Sequence, residues 1–167
     1  FALVTYLLFP NCQHLRPTLL GGDLLNQCTA TGFTAADFPI PYLGLYGACS
    51  TAAEGMLIGG AFVSGGFADN AITLASSHFC SSERQFRYPL EYGSLRTPTA
   101  QNTVTGAGAF MLTNEKCDIR LSRALAGRVN INGITDANNM GAAMATAAVD
   151  TVLRYFDETG ESAADYD

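Results

Sequence analysis

Charge is scarce in this sequence. Only 14% of its 167 residues are Asp, Glu, Lys or Arg, and Lys116 is the one lysine among nine basic residues. There is no basic block, so the electrostatic footprint of a nucleic-acid binder is missing. Cysteine pairs are also lacking. The five cysteines, at positions 12, 28, 49, 80 and 117, are odd in number and show no CxxC spacing. That pattern suggests neither a disulfide framework nor a zinc site, and it fits a reducing compartment. No apolar run is long enough to span a bilayer. The opening stretch, residues 1–10, lacks the basic start and small-residue cleavage site of a signal peptide. It reads as a buried strand, and a first residue of Phe suggests a trimmed or partial chain. Internal repeats and low-complexity segments are absent.

What the chain does contain is apolar surface, 48% of its residues. That is too much for disorder and enough for a core in a domain of this length. The net charge of −6 comes from one end. Residues 150–167 hold six acids against one base, Arg154, and the other 149 residues hold nine acids and eight bases. Eight of the nine bases are arginines, whose planar fork suits carboxylates and ion pairs.

The pattern along the chain predicts α/β structure with buried strands. Residues 18–22 read as a strand ending at Asp23, and 28–37 as a short helix ending before Pro39. Pro39 and Pro41 fix an extended entry to a strand at 42–46. A helix follows over about 50–64, closed by Gly65 and Gly66. Its Ala52, Gly55, Gly59 and Gly60 mark close approach to a neighbouring helix or sheet. Residues 70–76 form the next strand, and 77–102 a long polar connection of the kind that is more often functional than idle. Residues 106–112 and 118–127 read as an antiparallel strand pair turning near Asn114. A helix capped within 136–139 runs to about Glu158.

Cys49 stands where the 42–46 strand turns into the 50–64 helix, in the run Gly47-Ala48-Cys49-Ser50-Thr51. Free N–H groups and the helix dipole lower a thiol's pKa there and seat an anionic or acyl group. The plainer reading is a small apolar residue packed under the turn.

The cysteine turn, the small-residue helix behind it and the Gly106-Ala107-Gly108 strand together resemble the N-terminal half of a thiolase fold. Finer wording resembles the stage V sporulation protein AD family. It includes Gly22-Asp23-Leu24-Leu25-Asn26-Gln27, Ser76-Ser77-His78, and Glu83-Arg84-Gln85-Phe86-Arg87-Tyr88-Pro89 followed by Glu91-Tyr92-Gly93. Thr103-Val104-Thr105-Gly106 and Gly133-Ile134-Thr135-Asp136 extend it. The likeness covers residues 18–167; residues 1–17 are atypical. It implies a mixed five-stranded sheet with flanking helices, half of an αβαβα layered fold. The second half, source of a thiolase's catalytic histidine, is not in this sequence.

The resemblance further implies a non-catalytic sporulation protein of a spore-forming bacterium. Such a protein binds dipicolinic acid, with its calcium, for uptake into the developing spore. It would be cytoplasmic or peripheral at the inner spore membrane, without a cofactor or a metal site of its own. Expected partners are dipicolinic acid, other sporulation transport proteins, and a second copy of the chain or the missing half. A flat aromatic dianion needs arginines or N–H groups for its carboxylates and an apolar wall for its ring. Arg84, Phe86, Arg87 and Tyr88 offer those types, unless the arginines simply pair with Glu83 and Glu91. Cys49, Ser50, His78, Asp23 and Asn26 complete the candidate site. For His78 a satisfied polar residue at a strand end is the plainer reading, and for Asp23 and Asn26 turn residues. Asp136 reads as a helix-start residue. Two other functions compete: acyl transfer of the ketoacyl-synthase type through Cys49, with His78 as a weak base, and a ligand-free assembly subunit of a membrane transport complex.

Overall fold

The computed structural model describes residues 16–25, 28–79, 103–136 and 139–166. Their order is β1 (Pro17–Asp23), α1 (Thr29–Ala35), β2 (Tyr42–Gly44), α2 (Thr51–Ser64), β3 (Asn70–Ser77), β4 (Gly106–Thr113) and α3 (Met140–Thr159). Contacts divide the chain into two units. The first takes residues up to Leu95 together with Asn102–Leu121, and the second Arg96–Gln101 with Ser122–Asp167.

The first unit is built on a four-stranded sheet in the order β2-β1-β3-β4. β1 runs parallel to β2 and to β3, and β4 is antiparallel to β3. β1 is central, and its run of apolar residues with glycine is what a strand covered on both faces requires. Period-two alternation sorts those residues. Leu20, Leu45 and Ala71 face α2 and pack with Val63, Ile58 and Leu112. Leu19 and Ile72 face the other way and pack with Ala35 of α1, Ile40, Tyr42 and Leu74. At the amino ends of β1 and β3, Arg16 Nη2 lies 3.1 Å from Asp69 Oδ1 and its backbone N–H donates to Asp69 Oδ2 at 2.9 Å. These bonds from Arg16 hold the Asp69 carboxyl below the usual carboxylate range.

The small residues of α2 are consumed by the chain's own sheet. A Cβ on Gly55 would stand 3.0 Å from Thr73 Cβ, and one on Gly59 would stand 2.9 Å from Leu112 Cδ1. The neighbour that this face approaches is therefore the chain's own sheet, and the helix lies too close to it for any other occupant. Gly60, one position on, faces Leu121.

The expected fifth strand is not formed. Residues 118–127 adopt no regular structure, and Ile119 is 91% exposed. An apolar pattern such as that of Ile119 and Leu121 does not by itself supply a pairing partner. The boundary between the two units falls after Leu121, in the middle of the segment. The sheet accordingly has four strands among the described residues.

In the second unit α3 runs as expected. The Asn139 side chain accepts from Ala142 N at 3.2 Å at its start, and Gly160, with φ 70, closes its end. Arg128 pairs with Asp150 at 2.7 Å and Arg123 with Glu161 at 2.8 Å. Tyr155 and Tyr166 both donate toward Glu161, and the Glu161 carboxylate pushes the Tyr166 phenol well above its ordinary range. The six acids of residues 150–167 include two, Asp150 and Glu161, that bind arginines of the preceding segment.

Gly22 generates a direct test of this architecture. A Cβ there would sit 2.1 Å from the Leu45 carbonyl oxygen, a backbone atom that cannot swing aside. Gly22→Ala is expected to lower stability by at least about 1–3 kcal/mol in a urea titration. Gly32→Ala in α1, where a Cβ meets nothing within 4 Å, is expected to raise it by roughly 0.5–1 kcal/mol.

Candidate functional site

β2 ends at Gly44, and the chain reaches α2 through a 3-10 turn, Ala48–Ser50. Leu45 still belongs to the sheet, because its N–H donates to the Gly21 carbonyl at 2.8 Å. Cys49 is in the middle of that turn and exposed, with exposed Ser50 beside it. The strand-to-helix position expected for Cys49 is the one observed. Ala48, just before it, has φ 48, a left-handed conformation that is costly for a residue with a Cβ. Strain of this kind persists where surrounding structure over-determines it, and it clusters at ligand sites. No side chain caps the head of α2. Glu54 lies one turn in, and its Oε2 would be 2.4 Å from a Cβ on Gly47. That Oε2 is buried without a hydrogen-bond partner, and so is the hydroxyl of Thr51.

The neighbouring carboxyl ends of β1 and β3 are tied together. In a doubly wound sheet, ligands favour the crevice at the carboxyl ends where strand order reverses. Here Ser76 Oγ donates to Asp23 Oδ1 at 2.6 Å across that crevice. Asp23 Oδ1 also accepts from Thr31 N and Thr31 Oγ1, each at 3.3 Å, and Oδ2 accepts from Ala30 N at 2.9 Å. The buried Asp23 carboxylate thus serves as a remote cap for α1, whose own N-cap residue, Cys28, makes no side-chain cap. Cys28 has φ 52, and its thiol instead donates to the Leu45 carbonyl at 3.0 Å. The Tyr42 hydroxyl donates to Thr31 Oγ1 at 3.2 Å. Burial pushes its pKa up.

The sequence-predicted residues are therefore placed unevenly. Cys49 and Ser50 share the exposed turn. Asp23 lies at the mouth with both oxygens engaged by the fold. His78 follows the end of β3 and is exposed. Asn26, Arg84, Phe86, Arg87 and Tyr88 lie outside the described residues. Sequence reasoning missed Cys28, Tyr42, Thr31, Glu54 and Ser76 as members of this region. Only Ser76 had a signal, within Ser76-Ser77-His78. The left-handed Cys28 and the contact of Glu54 with Gly47 have no local signature.

A mixed sheet with helices on both faces, and a cysteine on the turn from a strand into a small-residue helix, define a thiolase-like half fold. The family model described as Stage V sporulation protein AD matches residues 14–167. Stage V sporulation protein AD of Bacillus subtilis (strain 168) is 46% identical over 149 residues, covering 89% of this chain and 44% of that protein. The chain belongs to the stage V sporulation protein AD family, and it spans less than half the length of that curated relative.

Two predictions follow from the Asp23 knot. Asp23→Ala is expected to lower stability by about 3 kcal/mol, as loss of several bonds to one charged group does, against about 1 kcal/mol for Ser76→Ala, both read by urea unfolding. The raised Tyr42 pKa sets a second. The folded state holds that proton more tightly than the unfolded chain, so its stabilisation is complete below pH ~10 and is lost as pH rises beyond. The stability difference between the parent and Tyr42→Phe should shrink above that pH. A difference that stays flat to strong alkali would refute it.

Proposed function

We propose that this sporulation-family protein binds dipicolinic acid, presented with calcium, through the Cys49–Ser50 turn and the arginine-bearing segment at 84–88, and that it serves uptake of that ligand into the developing spore. The observation that carries the reading is the exposed Cys49–Ser50 turn leading into α2, at whose start, Gly47, no side chain caps the helix. Free N–H groups at a helix start suit a carboxylate. Arg84 and Arg87 supply forks for the ligand's carboxylates and Phe86 and Tyr88 a wall for its ring. Glu54 supports the accompanying cation. A carboxylate one turn into α2, with an oxygen that has no partner, opposes a bare dianion and favours a ligand whose charge calcium has offset. Among the described residues no group of three or more His, Cys, Asp and Glu side chains could hold a metal.

Calorimetric titration with dipicolinate, with and without calcium, tests the proposal. Saturable binding that strengthens with calcium is expected, and no heat under either condition would refute it. Arg84→Lys and Arg87→Lys should each weaken binding about tenfold, since charge is kept and the planar fork lost. Glu54→Gln should narrow the gap between the two titrations. Acyl turnover is not expected, because an activated thiol needs a base and an oxyanion site in register. Sustained thiol release from acyl-CoA thioesters that Cys49→Ala abolishes would favour the enzymatic reading instead.

A further inference from the structure

Among the described residues, two that carry a Cβ have left-handed backbone, Cys28 with φ 52 and Ala48 with φ 48. Both belong to one joint of the fold. The Cys28 thiol donates to the Leu45 carbonyl at 3.0 Å. Ala48 lies just beyond, where the turn to Cys49 begins. Left-handed backbone is costly for residues of this kind, and it persists where surrounding structure or function demands it.

The start of α1 does not demand it of Cys28. That helix takes its cap from Asp23, which accepts from Ala30 N and Thr31 N, and Cys28 makes no side-chain cap. Backbone geometry alone would favour glycine, which adopts positive φ at no steric cost. What glycine could not supply is the thiol. Leu45 is buried, and among the described residues no backbone N–H is donated to its carbonyl. A buried carbonyl needs a donor, and the Cys28 side chain provides it. The Leu45 N–H is bound on its other side to the Gly21 carbonyl at 2.8 Å. Both polar groups of Leu45 are thus held, and only Tyr46 and Gly47 separate it from Ala48.

We propose that Cys28 is a positioning residue for the Cys49 turn. It accepts left-handed strain in order to hold the Leu45 carbonyl, and the held carbonyl sets the direction in which the chain leaves the sheet toward Cys49 and Ser50. Without the thiol, the last peptide of this edge can rotate and the turn loosens. Where it concerns ligand binding, the assignment rests on the function proposed above; where it concerns the turn, it does not.

Two variants separate positioning from packing. Cys28→Gly removes the strain and the donor together, and Cys28→Ser keeps a donor on a shorter arm. The readout is the rate at which iodoacetamide labels Cys49, located by peptide mass spectrometry well below the melting transition. Exposed Cys117 serves as the internal reference. Cys28→Gly should melt no lower than the parent, because the strain is relieved. Its Cys49 should nevertheless label at least about threefold faster relative to Cys117, as local loosening allows. Cys28→Ser should return labelling toward the parent rate. In calorimetry with dipicolinate and calcium, Cys28→Gly should bind at least about fivefold more weakly, with Cys28→Ser in between. If the parent itself shows no heat, the proposed ligand is wrong and the labelling rates alone decide the role of Cys28. Parent-like labelling in Cys28→Gly, a rise that Cys28→Ser does not reverse, or a lowered melting temperature in Cys28→Gly would each overturn the inference.

Discussion

The Asp23 carboxylate gathers the carboxyl end of the sheet to one point. It accepts from the first turn of α1 and from Ser76 at the end of β3, while belonging itself to β1. Both oxygens are occupied, which is what a buried carboxylate requires. Because β1 is the central strand, that one group sets the end of β3 and the start of α1 together. Cys28, at the start of α1, then donates to the Leu45 carbonyl, so the end of β2 is fixed by the same chain of contacts. The turn that carries Cys49 springs from there. A deformation at Asp23 would therefore reach the cysteine through two hydrogen-bonded steps and no flexible linker.

Close packing supplies the second constraint. Gly22 lies under the Leu45 carbonyl, and Gly55 and Gly59 bring α2 onto Thr73, Ala71 and Leu112. Helix and sheet in contact at backbone distance leave little room for the turn between them to relax. The left-handed Ala48 is the consequence. It is held by structure on both sides, and it turns Cys49 and Ser50 outward at the head of α2. Strain and exposure at one turn, above a rigid base, form the arrangement a binding site needs.

Belonging to the stage V sporulation protein AD family gives this geometry a biological setting. The carboxyl ends of β1 and β3, where a doubly wound sheet ordinarily takes its ligand, are tied by the Asp23–Ser76 bond, and the turn after β2 exposes Cys49 and Ser50. Its character is mixed. The head of α2 attracts anions, and Glu54 one turn further in opposes them. In the proposed function, a ligand that combines carboxylates with a cation answers both. No helix among the described residues is long and apolar enough to cross a membrane.

Much of this was legible in the residues themselves. β1, β3, α2 and α3 were readable because apolar runs, small-residue spacing and end signals such as Gly65-Gly66 and Asn139 are local and periodic. The position of Cys49 followed from the same signals, since a strand that runs through Gly47 into a helix can put its cysteine in few places. The resemblance carried in the Glu83–Pro89 run was likewise a matter of sequence alone. What the sequence left open concerns partners across space. Residues 118–127 alternate as a strand does, but Ser122 onward belongs to another unit, and pairing is decided by what lies alongside. Asp23 read as a turn residue or a ligand contact, and its actual bonds run to Thr31, eight residues on, and to Ser76, fifty-three residues on. The glycines of α2 announced a close approach without saying to what. Tertiary structure alone showed that the surface they approach is the chain's own sheet, because close packing is a relation between elements and a helix carries only its own half of it.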